Sequence, residues 1–183
     1  MKTRCVWVTK DQIYIDYHDK EWGKPVHDDN KLFEFLILET FQAGLSWITI
    51  LKKRENFRKA FDNFDFEKVA QYNKAKFDEL INNAGIIRNK LKIKSAISNA
   101  KAFIEIRKEF GTFSNYIWGF VNHKPIINNW KTNDEIPANT NLSDKLSKDL
   151  KKRGFKFVGS TVVYAHMQAT GMVNDHLVDC DFR

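Results

Sequence analysis

The sequence predicts an all-α protein, on three observations. Apolar residues recur at helical spacing through two long stretches, Leu32 to Arg54 and Arg88 to Phe110. Asp, Asn, Ser or Thr, the residues that cap helix N-termini, stand in front of most such stretches, and glycine follows several of them. No alternation of apolar and polar residues is long enough to claim a sheet. The chain shows no internal repeat, low-complexity tract, phosphate-binding Walker loop or dinucleotide fingerprint. Its 183 residues fit one domain, 1–183.

Residues 3–23 crowd Trp7, Tyr14, Tyr17 and Trp22 beside Cys5 and His18. Asp11 caps a short helix on which Tyr14 and Tyr17, three apart, share a face. The cluster is either a binding wall or a satellite packed on the core by a terminal extension. Asp28 or Asp29 then caps a helix over Lys31 to Ala43. At about 100° per residue, Glu39 points within roughly 60° of Leu32, Phe35, Leu36 and Ala43, with Glu34 opposite. The helix is apolar nearly all round and should be central. A carboxylate there loses several kcal/mol of hydration. Glu39 is therefore either tied down by hydrogen bonds or lines a cavity.

Gly44 breaks the pattern, and a second helix runs from Leu45 to Phe61 with Trp47 near its start and a solvated basic end at Lys52, Lys53 and Arg54. Asp65 caps Phe66 to Gln71, and Asn73 caps Lys74 to Asn82. A long helix follows from Arg88 to Phe110. Gly111 ends it, and Thr112 caps the next. Residues 122–142 read as a loop with one helical turn near Asn133 to Ile136. Ser143 caps a helix to Arg153, and a last apolar helix spans Thr161 to Thr170 before Gly171.

The formal charge of +7 favours a polyanionic partner such as nucleic acid. Within Leu80 to Ile97 (LINNAGIIRNKLKIKSAI) a turn at Gly85 meets a helix start carrying Arg88, Lys90, Lys92 and Lys94. Amides at such a turn can accept a phosphate; the alternative is an ordinary helix pair with a solvated lysine face. At the chain ends, His176 and Cys180 are four apart, and with Cys5 and His18 they make a Cys₂His₂ set whose natural occupant is tetrahedral zinc. The alternative is two free thiols and two unrelated histidines. His27, His123 and His166 read as surface or satisfied histidines. No apolar run reaches the ~18 residues that span a bilayer, and MKTRCVWVTKDQ has no secretion-signal core. The expectation is a soluble cytoplasmic protein with no membrane partner.

The segments CVWV, IYIDYHDKEWG, LETFQAGLSWITILKKRENFR, AGIIRNKLKI, WGFVNHKP, LSKDLKKRGFKFVGSTVVY and GMVNDH resemble the constitutive bacterial type I 3-methyladenine DNA glycosylases, from about residue 4 to residue 180. The resemblance implies an all-α helix-hairpin-helix glycosylase fold, with the hairpin at about 77–97 and both termini joined by a zinc site. It implies hydrolysis of the N-glycosidic bond of N3-methyladenine in alkylated double-stranded DNA, with base flipping and an abasic product. It assigns zinc to Cys5, His18, His176 and Cys180, and the base pocket to Glu39, Tyr14, Tyr17, Trp47, Trp7 and Trp22. Backbone contacts fall to Gly85, Arg88, Lys90 and Lys92. A monomer without nucleotide cofactor is implied. Two departures stand out. Gly85 is followed by Ile86 and Ile87 instead of a two-glycine turn, and no catalytic aspartate can be placed after the hairpin. Water activation is left between Glu39 and leaving-group chemistry alone. A non-catalytic binder of alkylated DNA and a glycosylase of altered base range are the rival readings.

Overall fold

The fold is organised around one buried helix, and a computed structural model describes it over residues 2–183. α1 (Gln12–Lys20) starts at Asp11, whose carboxylate accepts from the Ile13 amide. α2 (Asp29–Gln42) is capped by Asp28, which accepts from the Lys31 amide at 2.9 Å. Asp29 instead ties α2 to its neighbours, accepting from Arg107 Nε and from the amides of Phe113 and Ser114 at 2.8–3.1 Å. Every residue of α2 from Leu32 to Phe41 is buried, as its all-round apolar pattern requires.

α3 (Trp47–Ala60), α4 (Phe66–Ala70), α5 (Lys74–Asn82), α6 (Lys90–Phe110) and α7 (Phe113–Gly119) follow, then α8 (Asn141–Lys152) and α9 (Ser160–Ala169). α2 packs against α3, α6, α7 and α9. Phenylalanine fills the interior: Phe33, Phe41, Phe57, Phe61, Phe103 and Phe113 are all fully buried. Phe33–Phe103, Phe41–Phe57 and Phe41–Phe61 meet edge to face at 4.9–5.9 Å. Such contacts add roughly 0.5–1.5 kcal/mol each to the burial itself.

Where helix limits differ from the sequence reading, a cap explains it. α6 starts at Lys90 instead of Arg88, because Asn89 takes the cap and accepts from the Leu91 and Lys92 amides. α8 starts at Asn141 because Thr140 is the cap. Ser143 completes a reciprocal pair with it, receiving the Thr140 amide at 2.8 Å. Gly44, at φ +81°, leaves Leu45 and Ser46 outside α3.

One expectation fails here: the basic end of α3 is not all solvated, because Arg54 turns inward to Glu34. Arg54 and Arg58 both donate to the buried Glu34 carboxylate at 2.7–2.9 Å, and Arg54 also forks onto Glu21. The helical wheel places Glu34 away from Glu39 correctly, but α1 and α3 cover that side. The structure also contains a short sheet. β1 (Ile126–Ile127) pairs in parallel with β2 (Val173–Asn174), in the register Ile126 to Val173. Strands of two residues leave no alternation to read. Gly171 precedes β2 at φ +69°, and a Cβ there would overlap the Lys24–Pro25 peptide. Only glycine lets the end of α9 lie against the entry to α2.

Candidate active site

α1, α2, α3 and α9 enclose a cavity of about 230 Å³, sized for one nucleobase instead of a drug-sized ligand. Trp7, Tyr14, Tyr17, Trp22, Glu39 and Trp47 line it, all of which the sequence singled out. The aromatic-rich N-terminal stretch is thus a wall of the cavity as well as a packed cluster. The Tyr17 and Trp47 rings lie 5.4 Å apart, and Trp7 meets Tyr14 at 5.1 Å and Trp22 at 5.0 Å.

Glu39 rises from α2 into this cavity. It is only 4 % exposed, and its carboxyl makes no hydrogen bond among the described residues. Of the two alternatives, anchored or cavity-lining, it takes the second. Burial pushes its pKa up to about 8. The Tyr17 phenol is raised as well, first by burial and then by the nearby Glu39 charge, and burial raises Tyr14. Trp47 Nε1 is a buried donor with no partner. An unpaired acid facing an aromatic cavity describes a site awaiting a polar, flat ligand.

Sequence reasoning missed Gln42, Asn133, Ile136, Ala165 and Gln168, which complete the lining. The helical turn at Asn133 was legible, its position over the cavity was not. Gln168, on α9, is held by Asp175 just after β2, an interaction that spacing cannot reveal.

Behind the wall, Cys5, His18, His176 and Cys180 are all buried, with donor atoms within 4.8 Å of one another. Cys180 Sγ lies 3.6 Å from His18 Nε2 and 3.3 Å from His176 Nδ1, and Cys5 Sγ is 3.7 Å from His176 Nδ1. These separations are close to the edges of a zinc tetrahedron, about 3.3–3.8 Å from bond lengths of 2.0–2.3 Å. The outward nitrogens are anchored. His18 Nδ1 donates to Asp19 at 2.8 Å, and His176 Nε2 donates to the Trp22 carbonyl at 3.0 Å. Both rings therefore turn a lone pair inward, as metal-bound imidazoles do. The donor set fits a metal. Trp7 packs on His18 at 5.2 Å and Trp22 on His176 at 4.6 Å, so the cluster backs the cavity wall.

The remaining histidines differ from their reading in one case. His123 is exposed, and His27 contacts Ser114 Oγ at 3.2 Å. His166 is neither exposed nor satisfied: it is 1 % exposed with both ring nitrogens unpartnered, and burial lowers its pKa to about 3.

The hairpin of α5 and α6 corrects two of the four backbone-contact residues. Lys92 is buried, and its Nζ donates to the carbonyls of Phe41 and Ala43 at 2.8 and 2.6 Å. It closes the C-terminal end of α2, where a cation is favoured by the helix dipole, and is not available to a phosphate. Gly85 spends its amide on Asn83 Oδ1 at 2.8 Å. Arg88 and Lys90 are exposed, and the Ile87 and Arg88 amides have no partner among the described residues. Lys92 holds the carbonyls on either side of Gln42, so the hairpin is bolted to the floor of the cavity.

A base-sized cavity with an acid and an indole inside, joined to a basic hairpin, defines a protein that takes one base out of a nucleic acid. The chain belongs to the methyladenine glycosylase family, whose pattern it matches over residues 7–183. It is 53 % identical to the DNA-3-methyladenine glycosylase of Haemophilus influenzae over 180 residues, covering 98 % of this chain and 97 % of that protein. It superposes on a crystal structure of 3-methyladenine DNA glycosylase I with TM-score 0.95, 49 % identity and 98 % coverage of both chains. A tyrosine-to-phenylalanine variant of such an enzyme, in complex with 3-methyladenine, aligns with TM-score 0.95 at 38 % identity, covering 97 % of this chain and 96 % of that one. No helix among the described residues is long and apolar enough to cross a membrane.

Proposed function

We infer that the protein is a monofunctional DNA-3-methyladenine glycosylase. It flips N3-methyladenine out of alkylated duplex DNA, hydrolyses its N-glycosidic bond, and leaves free base and an abasic site. The observation that carries the reading is the unpaired Glu39 carboxyl facing an aromatic cavity of nucleobase size. A stacked base cannot reach such a pocket, so it must leave the helix first.

N3-methyladenine is cationic while attached to its sugar. That charge weakens the glycosidic bond, and the base leaves as a neutral molecule. The pocket has to recognise the cation more than to activate it. Glu39, once ionised beside the cation, accepts from the exocyclic amine. Trp47 stacks on the ring, with a cation–π share of about 1–2 kcal/mol when desolvated. Tyr14 and Tyr17 supply hydroxyls, and Trp7 and Trp22 close the wall. With Glu39 engaged at the amine edge, the positive charge of the base drives its own departure and the attacking water needs no strong base.

We read the fold as a single helix-hairpin-helix domain that works as a cytoplasmic monomer. Cys5, His18, His176 and Cys180 would hold one zinc ion. With four protein ligands that ion supplies structure and leaves no position for substrate. The hairpin grips the DNA backbone through Arg88, Lys90 and the Ile87 and Arg88 amides. Arg88→Ala and Lys90→Ala should each reduce the salt slope of DNA binding by about 1. Lys92→Ala should leave that slope unchanged and cost about 1–3 kcal/mol of stability, by unpairing the end of α2. Salt titrations and melting curves of the three variants check this.

Incubation with methylated duplex DNA, followed by chromatography of released bases, tests the activity directly. Free 3-methyladenine is expected. If none appears at stoichiometric protein although the DNA is bound, the chain is a binder and not an enzyme.

A further inference from the structure

The cavity holds two glutamines, and both turn their amide nitrogen away from it. Gln168 Nε2 donates to Asp175 Oδ2 at 2.8 Å, and Gln42 Nε2 donates to the Leu45 carbonyl at 2.8 Å. Their oxygens make no hydrogen bond among the described residues, although both side chains line the cavity. The Gln168 arrangement is enforced. Asp175 is fully buried and accepts from four groups. Asn128 Nδ2 and Trp130 Nε1 reach one oxygen at 2.7 and 2.8 Å; Tyr164 Oη and Gln168 Nε2 reach the other at 2.7 and 2.8 Å. A carboxylate so surrounded by donors can only accept. Rotating the Gln168 amide would set oxygen against oxygen, leaving a buried charge short of a partner.

This gives the lining two fixed acceptors, the glutamine oxygens; Glu39 donates or accepts with its protonation, and the Asn133 amide carries both a donor and an acceptor. The hydroxyls of Tyr14 and Tyr17 can donate or accept, so they do not discriminate. Trp47, stacked on the ring, turns its N–H parallel to the base and does not read its edge. An adenine presents two N–H bonds at its exocyclic amine; a guanine or hypoxanthine presents a carbonyl oxygen at the same place. An oxygen facing fixed acceptors loses its solvation and gains nothing in return, which is the strong direction of polar discrimination.

We propose that Gln168 is a specificity-determining residue of this pocket, its side-chain oxygen reserved by Asp175 to accept from the 6-amino group of the purine and to reject purines with an oxygen at that position. Asp175 is the positioning residue, acting through Gln168. The inference rests on the base-pocket reading above and adds which purine edge the pocket takes.

The test is calorimetric titration of the full-length protein with two free bases, 3-methyladenine and 3-methylhypoxanthine, which differ in the group at position 6. The wild-type protein should favour 3-methyladenine by about 10-fold or more, and Gln168→Leu should bring the two affinities within about 3-fold while DNA binding is retained. Gln168→Met replaces it if the leucine variant folds poorly. Asp175→Asn, which puts a donor among donors, should narrow the ratio in the same direction, a change in selectivity that mere loosening of the fold would not give. An unchanged ratio in the Gln168 variant overturns the proposal and leaves the base-pocket reading standing. Failure of the wild-type protein to bind either base overturns both.

Discussion

Glu39→Gln is expected to make the protein more stable at neutral pH and about 100-fold less active, because one carboxyl serves opposite ends in the two states. In the empty pocket Glu39 has no hydrogen-bond partner, and burial holds its pKa at about 8 against 4.5 unfolded. Between those values the folded chain keeps a proton that the unfolded chain has released. Stability from this group is therefore fully present below about 4.5 and lost as pH rises through 8. At pH 7 the cost is about 3 kcal/mol, which glutamine, carrying no titrating proton, removes. For a chain of this size that is a rise of about 6–12 °C in melting temperature. No neighbouring charge offsets the effect, since burial alone causes the rise.

The arriving cation reverses the balance, since an opposite charge at contact favours the ionised acid. kcat/KM of the wild-type enzyme should accordingly rise with pH up to about 8, and the glutamine variant should lack that limb. Melting curves from pH 4 to 9 beside single-turnover base release decide the matter. A variant that melts lower than wild type, or one that keeps most of its activity with an unchanged pH profile, would return Glu39 to a purely structural role.

The sequence carried the periodic parts of this fold and lost what depends on chain reversal. α2, α5 and α6 were legible because their faces repeat and their caps lie next to them in the chain. The burial of Glu39 followed from its position on an all-round apolar helix, and its freedom from partners could not, since that depends on what α1 and α9 bring near. Lys92 shows the limit most plainly. Among Arg88, Lys90 and Lys94 it looks like one more phosphate contact, yet it lies on the inner face of α6 and meets the frayed end of a helix about fifty residues earlier in the chain. Glu34 and Arg54 were missed likewise. Arg54 reads as a solvated charge, and with the buried Glu34 it forms a half-buried network that takes in Arg58 and Glu21. Charge type is visible in a sequence, but pairing across helices is not. The Cys₂His₂ cluster was carried by the family resemblance more than by spacing, because Cys5 and His18 are too far apart along the chain for any local pattern.

That cluster yields the other large effect. Cys180→Ser should lower zinc content from about one per chain to well under half, and lower the melting temperature by about 10 °C or more. The thiols are buried and poor in other partners, and burial above all pushes the Cys5 thiol up to about 12. Without a metal, the ends of the chain are joined there by weak contacts between sulfur and ring nitrogen. A bound divalent ion replaces them with four strong ones and closes nearly the whole chain into a loop. The effect should reach the pocket at second hand. Trp7 and Trp22 rest on His18 and His176, so loosening these rings loosens the wall that would hold the base. Affinity for 3-methyladenine should fall by about 10-fold in the Cys180→Ser variant, while added zinc restores the wild-type protein after chelation but not the variant. Elemental analysis, melting curves and base titration separate the cases. A wild-type protein that purifies without metal, and whose melting temperature zinc does not raise, would reduce the cluster to two thiols and two histidines brought together only by packing.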